Sequence, residues 1–203
     1  MKIRIDSEVI SRAVAGDSVS QRTIYEAFHD RASRLAYLLL RDVQDAEEVV
    51  QDAFVYALRN LGRYEAERAS LWTWVRVILV SRCRNKRRRK RLPRVSLDVL
   101  KAQGKEPRDT TPLGDPPETV ARRIVQRRVY EALEDVSPGA RDALILRYYE
   151  GLSYTEVGET LGCTDAAARQ RVVHGKRQLR ELLGGDEAAT SSEPGPARAA
   201  EVG

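Results

Sequence analysis

Long apolar runs are missing from this chain of 203 residues, and none approaches the roughly 18 residues that a membrane-spanning helix requires. The first ten residues, MKIRIDSEVI, lack the apolar stretch of a secretory signal, so the protein is expected to be cytoplasmic. Cysteine is scarce. Cys83 and Cys163 form no ligand cluster and are expected to be reduced. Neither His29 nor His174 stands at metal-ligand spacing from a cysteine, so no metal or other cofactor is expected. Aromatics reach only 6%, which argues against a large β-sandwich and for an aliphatic core. The chain has no Gly-rich phosphate loop, no G-x-S-x-G and no H-E-x-x-H, so nothing in it points to an enzyme. Hydrophobic residues, at 42%, still suffice for small packed cores.

Acidic residues are absent from two stretches, and these define the electrostatics. The net charge is only +5, but residues 82–94 (RCRNKRRRKRLPR) hold nine basic groups and no acid. Ala166–Arg180 holds five basic groups and no acid. Residues 1–81, by contrast, carry 11 basic and 12 acidic groups. Nine like charges in thirteen residues repel one another strongly without a partner, and two basic patches on separate modules suit a polyanion touched at two places.

Periodicity predicts an all-α fold: two small helical domains joined by a flexible linker, the second with a helix-turn-helix. The first domain is expected at residues 7–91, the linker at 92–118, the second domain at 119–183 and a disordered tail at 184–203. From Val95 the linker is rich in Pro, Gly, Asp and Thr with little periodicity. In the first domain, Ile24, Phe28, Leu35 and Leu39 suggest a helix after a turn at Gly16-Asp17. Ala46, Val49, Val50, Ala53, Phe54, Ala57, Leu58 and Leu61 mark the apolar face of a second, with Asp45 and Glu48 spaced like a capping box at its start. Leu71, Trp74, Val75 and Ile78 give a third stripe, which leaves Trp72 off the core face. In the second domain, Ser137-Pro138 opens a helix that runs from Ala140 to Tyr149 and stops at Gly151. Ser153-x-x-Glu156 is a capping box for a short helix ending near Leu161; Gly162-Cys163 turns the chain, and Thr164 caps the last helix. That helix keeps Ala168, Val172, Gly175, Leu179 and Leu182 on one side, with Arg169, Arg171, His174 and Lys176 largely off it.

Helix, short turn and helix with a basic outer face is the pattern that enters a DNA major groove. Thr164, Asp165, Ala167, Arg169, Gln170 and Arg171 are placed to meet base edges, and His174 and Lys176 to meet phosphate. The rival reading is a structural helical hairpin with a solvated face. Asp42–Leu58 holds five acids and no base, so it repels DNA and wants either water or a basic protein partner. Trp72, beside the basic block, either stacks on an unpaired base or packs in the core.

Three segments in order carry a family resemblance: Asp45-Ala-Glu-Glu-Val-Val-Gln-Asp-Ala-Phe54; Tyr64-Glu-Ala-Glu-Arg-Ala-Ser-Leu-Trp-Thr-Trp-Val75 with its basic run; and Leu133–Leu183, with Leu146-Arg-Tyr-Tyr-Glu-Gly-Leu-Ser-Tyr-Thr-Glu-Val157. The chain resembles the extracytoplasmic-function (ECF) sigma factors, small initiation subunits of bacterial RNA polymerase, over roughly residues 7–183. The resemblance implies that Asp45, Glu48, Gln51 and Asp52 bind the polymerase core. It implies that Arg68, Ser70, Trp72, Arg76, Arg82, Arg84, Lys86 and Arg87 bind minus-ten DNA, with the loop at Glu65–Ser70 receiving an extruded base. The helix-turn-helix residues would read the minus-thirty-five element. Implied partners are core polymerase, promoter DNA and, as in many relatives, an anti-sigma factor. Ser81, Asn85, Ala167, Ala168 and Trp72 depart from the family's usual residues and bear on which promoter is read. The alternative is a free-standing helix-turn-helix regulator, which needs neither the acidic helix nor the basic block.

Overall fold

Short polar side chains punctuate the chain into helices. The computed structural model describes residues 5–91 and 120–189. Asp6 caps α1 (Ser7–Val14) by accepting from Glu8 N at 3.1 Å. Gly16, at φ 93°, turns the chain, and Asp17 caps α2 (Ser18–Leu40) through Ser20 N. Helix α1 is only eight residues long, and it packs Val9, Ile10 and Ala13 against the core. Arg41 ends α2 in the left-handed region, at φ 57°. An arginine there is disfavoured, and its guanidinium is held by the rings of Tyr37 and Tyr130 and by Glu134 at 3.2 Å.

Helix α3 (Val43–Arg59) begins three residues earlier than expected. Asp42 is the N-cap, accepting from Asp45 N at 3.1 Å, so Asp45 lies inside the first turn. A 3-10 turn at Leu61–Arg63 and the loop to Ser70 lead into α4 (Leu71–Arg91). Ile24, Phe28, Leu35 and Leu39 of α2 close on Val50, Ala53 and Phe54 of α3 and on Leu71, Val75 and Leu79 of α4. Each such large buried apolar side chain contributes about 1.5–3 kcal/mol.

The second domain comprises α5 (Val120–Asp135), α6 (Pro138–Leu144), α7 (Tyr154–Leu161) and α8 (Asp165–Ala189). Helix α6 runs on into a π-helical turn at Ile145–Tyr149. Gly151, at φ 72°, ends it. The Ser153–Glu156 capping box forms as expected. Gly158 lets the turn close: a Cβ there would lie 2.6 Å from the Cys163 carbonyl oxygen. Helix α8 continues past Leu183 to Ala189. The expected linker, 92–118, and the tail beyond Ala189 lie outside the described residues.

Helix α4 is covered on two sides, by α2 and α3 and by α7 of the second domain. The structure decides the open reading of Trp72 in favour of the core, against Phe28 and Arg31 of α2 and Glu150, and departs from the expected stripe at Trp74 and Ile78. Trp72, off the predicted stripe, is 6% exposed, whereas Trp74 and Ile78 are only half-buried. A single apolar stripe presumes one packing partner, and this helix has two. Among the described residues there is no strand, and no helix is long and apolar enough to cross a membrane.

Candidate nucleic-acid and protein interfaces

The helix-turn-helix stands as its sequence signals dictate. Gly162 adopts the left-handed conformation at φ 65°, Cys163 N donates to Gly158 O at 2.8 Å, and Thr164 Oγ1 accepts from Ala167 N at 3.2 Å. Ala168 and Val172 anchor α8 in the core. Thr164, Asp165, Arg169, Gln170, His174 and Lys176 are exposed, and Ala167 and Arg171 are half-buried. Several are held in place. The guanidinium of Arg169 lies 4.8 Å from the Tyr154 ring centre, with Arg147 at 4.9 Å from the same ring. Arg171 Nη1 donates to Cys163 Sγ at 3.3 Å, and Lys176 stands 5.8 Å over the Tyr148 ring. Sequence periodicity gave no sign of these tyrosines as supports.

The outer face of α3 is mixed rather than purely acidic. Glu48, Gln51 and Asp52 are exposed beside Val55 (49%) and Tyr56 (42%). Exposed apolar groups among carboxylates suit a protein surface better than a DNA backbone. The four residues expected to bind protein are not equally free. Asp45 pairs with Lys86 and Lys90; Glu48 pairs with Lys86; Asp52 lies 3.9 Å from Arg82. The Glu48 hydrogen bond is the main influence holding the Lys86 ammonium above its ordinary pKa. Gln51 remains exposed on the same face.

The expected minus-ten set divides in two. Arg68, paired with Glu65 at 2.6 Å, and Ser70 lie exposed on the loop before α4. That loop is preformed: Tyr64 OH donates to Ala69 O at 2.9 Å, and the Tyr64 and Trp74 rings meet at 5.9 Å. The others are engaged within the chain. Trp72 packs 5.7 Å from the Phe28 ring, and its Nε1 donates to Glu150 Oε2 at 2.9 Å. Arg76 is buried 3.8 Å from the same carboxylate. Burial depresses the Arg76 guanidinium pKa, and the negative Glu150 opposes that shift. Arg82 lies over the Tyr56 ring. Arg84 donates to the Leu161 carbonyl at 2.7 Å, and Arg87 grips Asp142 at 2.9 and 2.6 Å. In this arrangement, then, Trp72, Arg76, Arg84 and Arg87 face the second domain. Of the residues that complete these contacts, Arg31 lies in no motif, and Asp142 and Glu150 lie in the Leu133–Leu183 segment with no such role expected of them.

No group of three or more His, Cys, Asp or Glu able to hold a metal occurs among the described residues. What the geometry offers is surface: a basic recognition helix, an acidic and apolar α3 face, and an arginine-rich α4 that meets the second domain.

Two stretches of the chain match known family models. Residues 24–92 match the Sigma-70 region 2 family model, and residues 126–179 match that for Sigma-70 region 4. The ECF RNA polymerase sigma factor SigK of Mycobacterium sp. (strain JLS) is 27% identical over 187 residues, covering 90% of this chain and 93% of that protein. Among solved structures, CnrH in complex with the cytosolic domain of CnrY aligns with a TM-score of 0.61 at 20% identity, covering 88% of this chain and 96% of that one. The sigma factor RpoE in complex with the anti-sigma factor NepR from Bartonella quintana aligns with a TM-score of 0.57 at 22% identity, covering 81% and 97%.

Proposed function

The chain belongs to the ECF sigma factors of bacterial RNA polymerase, and from that premise we propose how its surfaces divide the work of initiation. The α3 face around Glu48, Gln51, Asp52, Val55 and Tyr56 binds the polymerase core. Helix α8 enters the major groove of the minus-thirty-five element, with Arg169, Gln170 and Arg171 toward base edges and His174 and Lys176 toward phosphate. The loop at Glu65–Ser70 and helix α4 hold the opened minus-ten strand. The protein supplies binding surfaces and catalyses nothing itself; bond formation belongs to the polymerase. Its place of action is the cytoplasm, with the polymerase. An anti-sigma factor, the partner named in the Bartonella quintana complex, is a third partner in this proposal.

The observation that supports this division most is the contrast between two helix faces. The outer face of α3 puts exposed Val55 and Tyr56 among acids, while α8 has basic groups and no acid between Asp165 and Glu181. A free-standing regulator would use the second face and leave the first idle. Co-elution with purified core polymerase tests the reading. The parent protein is expected to elute with core, and Asp52→Arg to do so at least tenfold more weakly, because an electrostatic complement becomes a repulsion. Equal core affinity for parent and variant would contradict the placement of the core-binding face.

A further inference from the structure

In the contact between domains, a carboxylate occupies a cluster of anion receptors. The Glu150 side chain, at the end of the π turn, is only 1% exposed. Arg31 approaches it as a fork, Nη2 to Oε2 at 2.8 Å and Nε to Oε1 at 3.3 Å. Trp72 Nε1 donates at 2.9 Å, and Arg76 Nη1 stands at 3.8 Å. All three partners belong to the first domain, on α2 and α4, and Glu150 belongs to the second. The Arg76 side chain is itself 4% exposed, and its Nε has no hydrogen-bond partner among the described residues. A buried guanidinium with an unused donor is costly unless an anion fills the site. The non-bridging oxygens of a phosphodiester present the same two-oxygen edge to an arginine fork as a carboxylate does.

We propose that Arg31, Trp72 and Arg76 form a phosphate-binding site for the opened promoter strand, and that Glu150 is its intramolecular competitor. The proposal rests on the sigma-factor reading above and adds Arg31, from a helix that no motif assigned to DNA. A strand is the favoured source of the phosphate because the exposed Arg68 and Ser70 lead directly into Trp72, so a strand leaving that loop meets the site next. Arg31 also lies 4.5 Å over the Trp72 ring, so one guanidinium fixes both the anion and the indole that donates to it. Strand binding and domain contact are then mutually exclusive. The second domain must leave before the strand enters, and the strand replaces the negative charge that Glu150 withdraws. Asp142, 1% exposed and forked by Arg87, holds the same domain contact at a second point.

The test is titration of the full chain with a fluorescein-labelled, mixed-sequence, single-stranded 12-mer DNA over a range of salt. Glu150→Gln keeps the side chain's size and its acceptor for Trp72 while removing the competing charge. It should tighten binding roughly tenfold, as expected for charge-assisted hydrogen bonds newly made to phosphate. The log–log salt slope should steepen by about 0.7 for each phosphate added. Arg31→Ala in the Glu150→Gln background should return both quantities to the parent values. Inorganic phosphate at matched ionic strength should not displace the oligonucleotide; displacement would make the site one for free phosphate and overturn the strand assignment. The double variant Glu150→Gln/Asp142→Asn removes the second clasp. Parent-like affinity and slope in both Glu150 variants, or a gain that Arg31→Ala leaves intact, would refute the site. Run-off transcription by parent protein with core polymerase separates the two readings: initiation with no gain in these titrations sinks this site alone, and no initiation sinks the sigma-factor reading beneath it.

Discussion

Replacing Gly158 by alanine sets two effects of opposite sign against each other. Gly158 lies in α7, and alanine in a helix interior is favoured over glycine by about 1 kcal/mol. Against this, the new Cβ would stand 2.6 Å from the Cys163 carbonyl oxygen, and 3.2 and 3.3 Å from the Thr164 carbonyl carbon and oxygen. These are backbone atoms of the turn, so they cannot swing aside as the end of a side chain can. Overpacking of this kind costs about 1–3 kcal/mol, and backbone opposition puts it at the upper end, leaving a net loss of about 1–2 kcal/mol. Relief requires the 2.8 Å bond from Cys163 N to Gly158 O to lengthen, which tilts the Thr164 cap and α8 away from α7. Urea unfolding followed by circular dichroism measures the first effect, and affinity for duplex promoter DNA the second. Gly184→Ala is the matched control, since nothing lies within 4 Å of a Cβ there, and it should gain up to about 1 kcal/mol. A Gly158→Ala protein as stable as the parent, with unchanged DNA affinity, would refute the reasoning.

Other expectations are direct. Arg169→Ala should lower promoter affinity with sequence dependence, whereas Lys176→Ala should weaken binding uniformly and reduce the salt slope by about one; competition with unrelated duplexes distinguishes them. Trp72→Ala should lower stability by about 3–5 kcal/mol in chemical denaturation, because it empties a packed site and removes a donor to Glu150. Burial pushes the Cys83 thiol up to about 12, so at pH 8 a maleimide should label the half-buried Cys163 and leave Cys83 unmodified until unfolding. The folded thiol holds its proton more tightly than the unfolded one. Its stabilising contribution is therefore complete below the ordinary value of 9.0 and declines as pH rises toward about 12. A pH titration of the unfolding midpoint for Cys83→Ala against parent reads that decline.

Local signals carry most of the helices, and they fall short at the α3 cap and where a second domain intervenes. Ser153–Glu156, Gly162 and Thr164 act within one turn of backbone, so their spacing reports directly on structure. Glu48 follows Asp45 at capping-box spacing, which points to Asp45 as the α3 cap. Asp42, also three residues ahead of an acid, takes that role instead, and Asp45 turns to Lys86 and Lys90. For Trp72 the sequence leaves core packing and base stacking both open. Its indole N–H meets Glu150, 78 residues away in sequence, and its ring meets Phe28 and Arg31 of α2, and no periodicity of α4 encodes these partners. The same distance hides Arg31, 119 residues from its partner. The basic block was legible as charge, but its apportionment between internal carboxylates and an external strand is a tertiary property.

Promoter-directed initiation is the most direct measurement of the whole account. Core polymerase, with and without this protein, is offered a library of double-stranded promoter fragments, and the transcripts are sequenced. The account predicts transcripts that depend on the protein and begin at fragments sharing two short elements at a fixed separation, one read by α8 and one opened beside α4. Identical transcript pools in both reactions would contradict it.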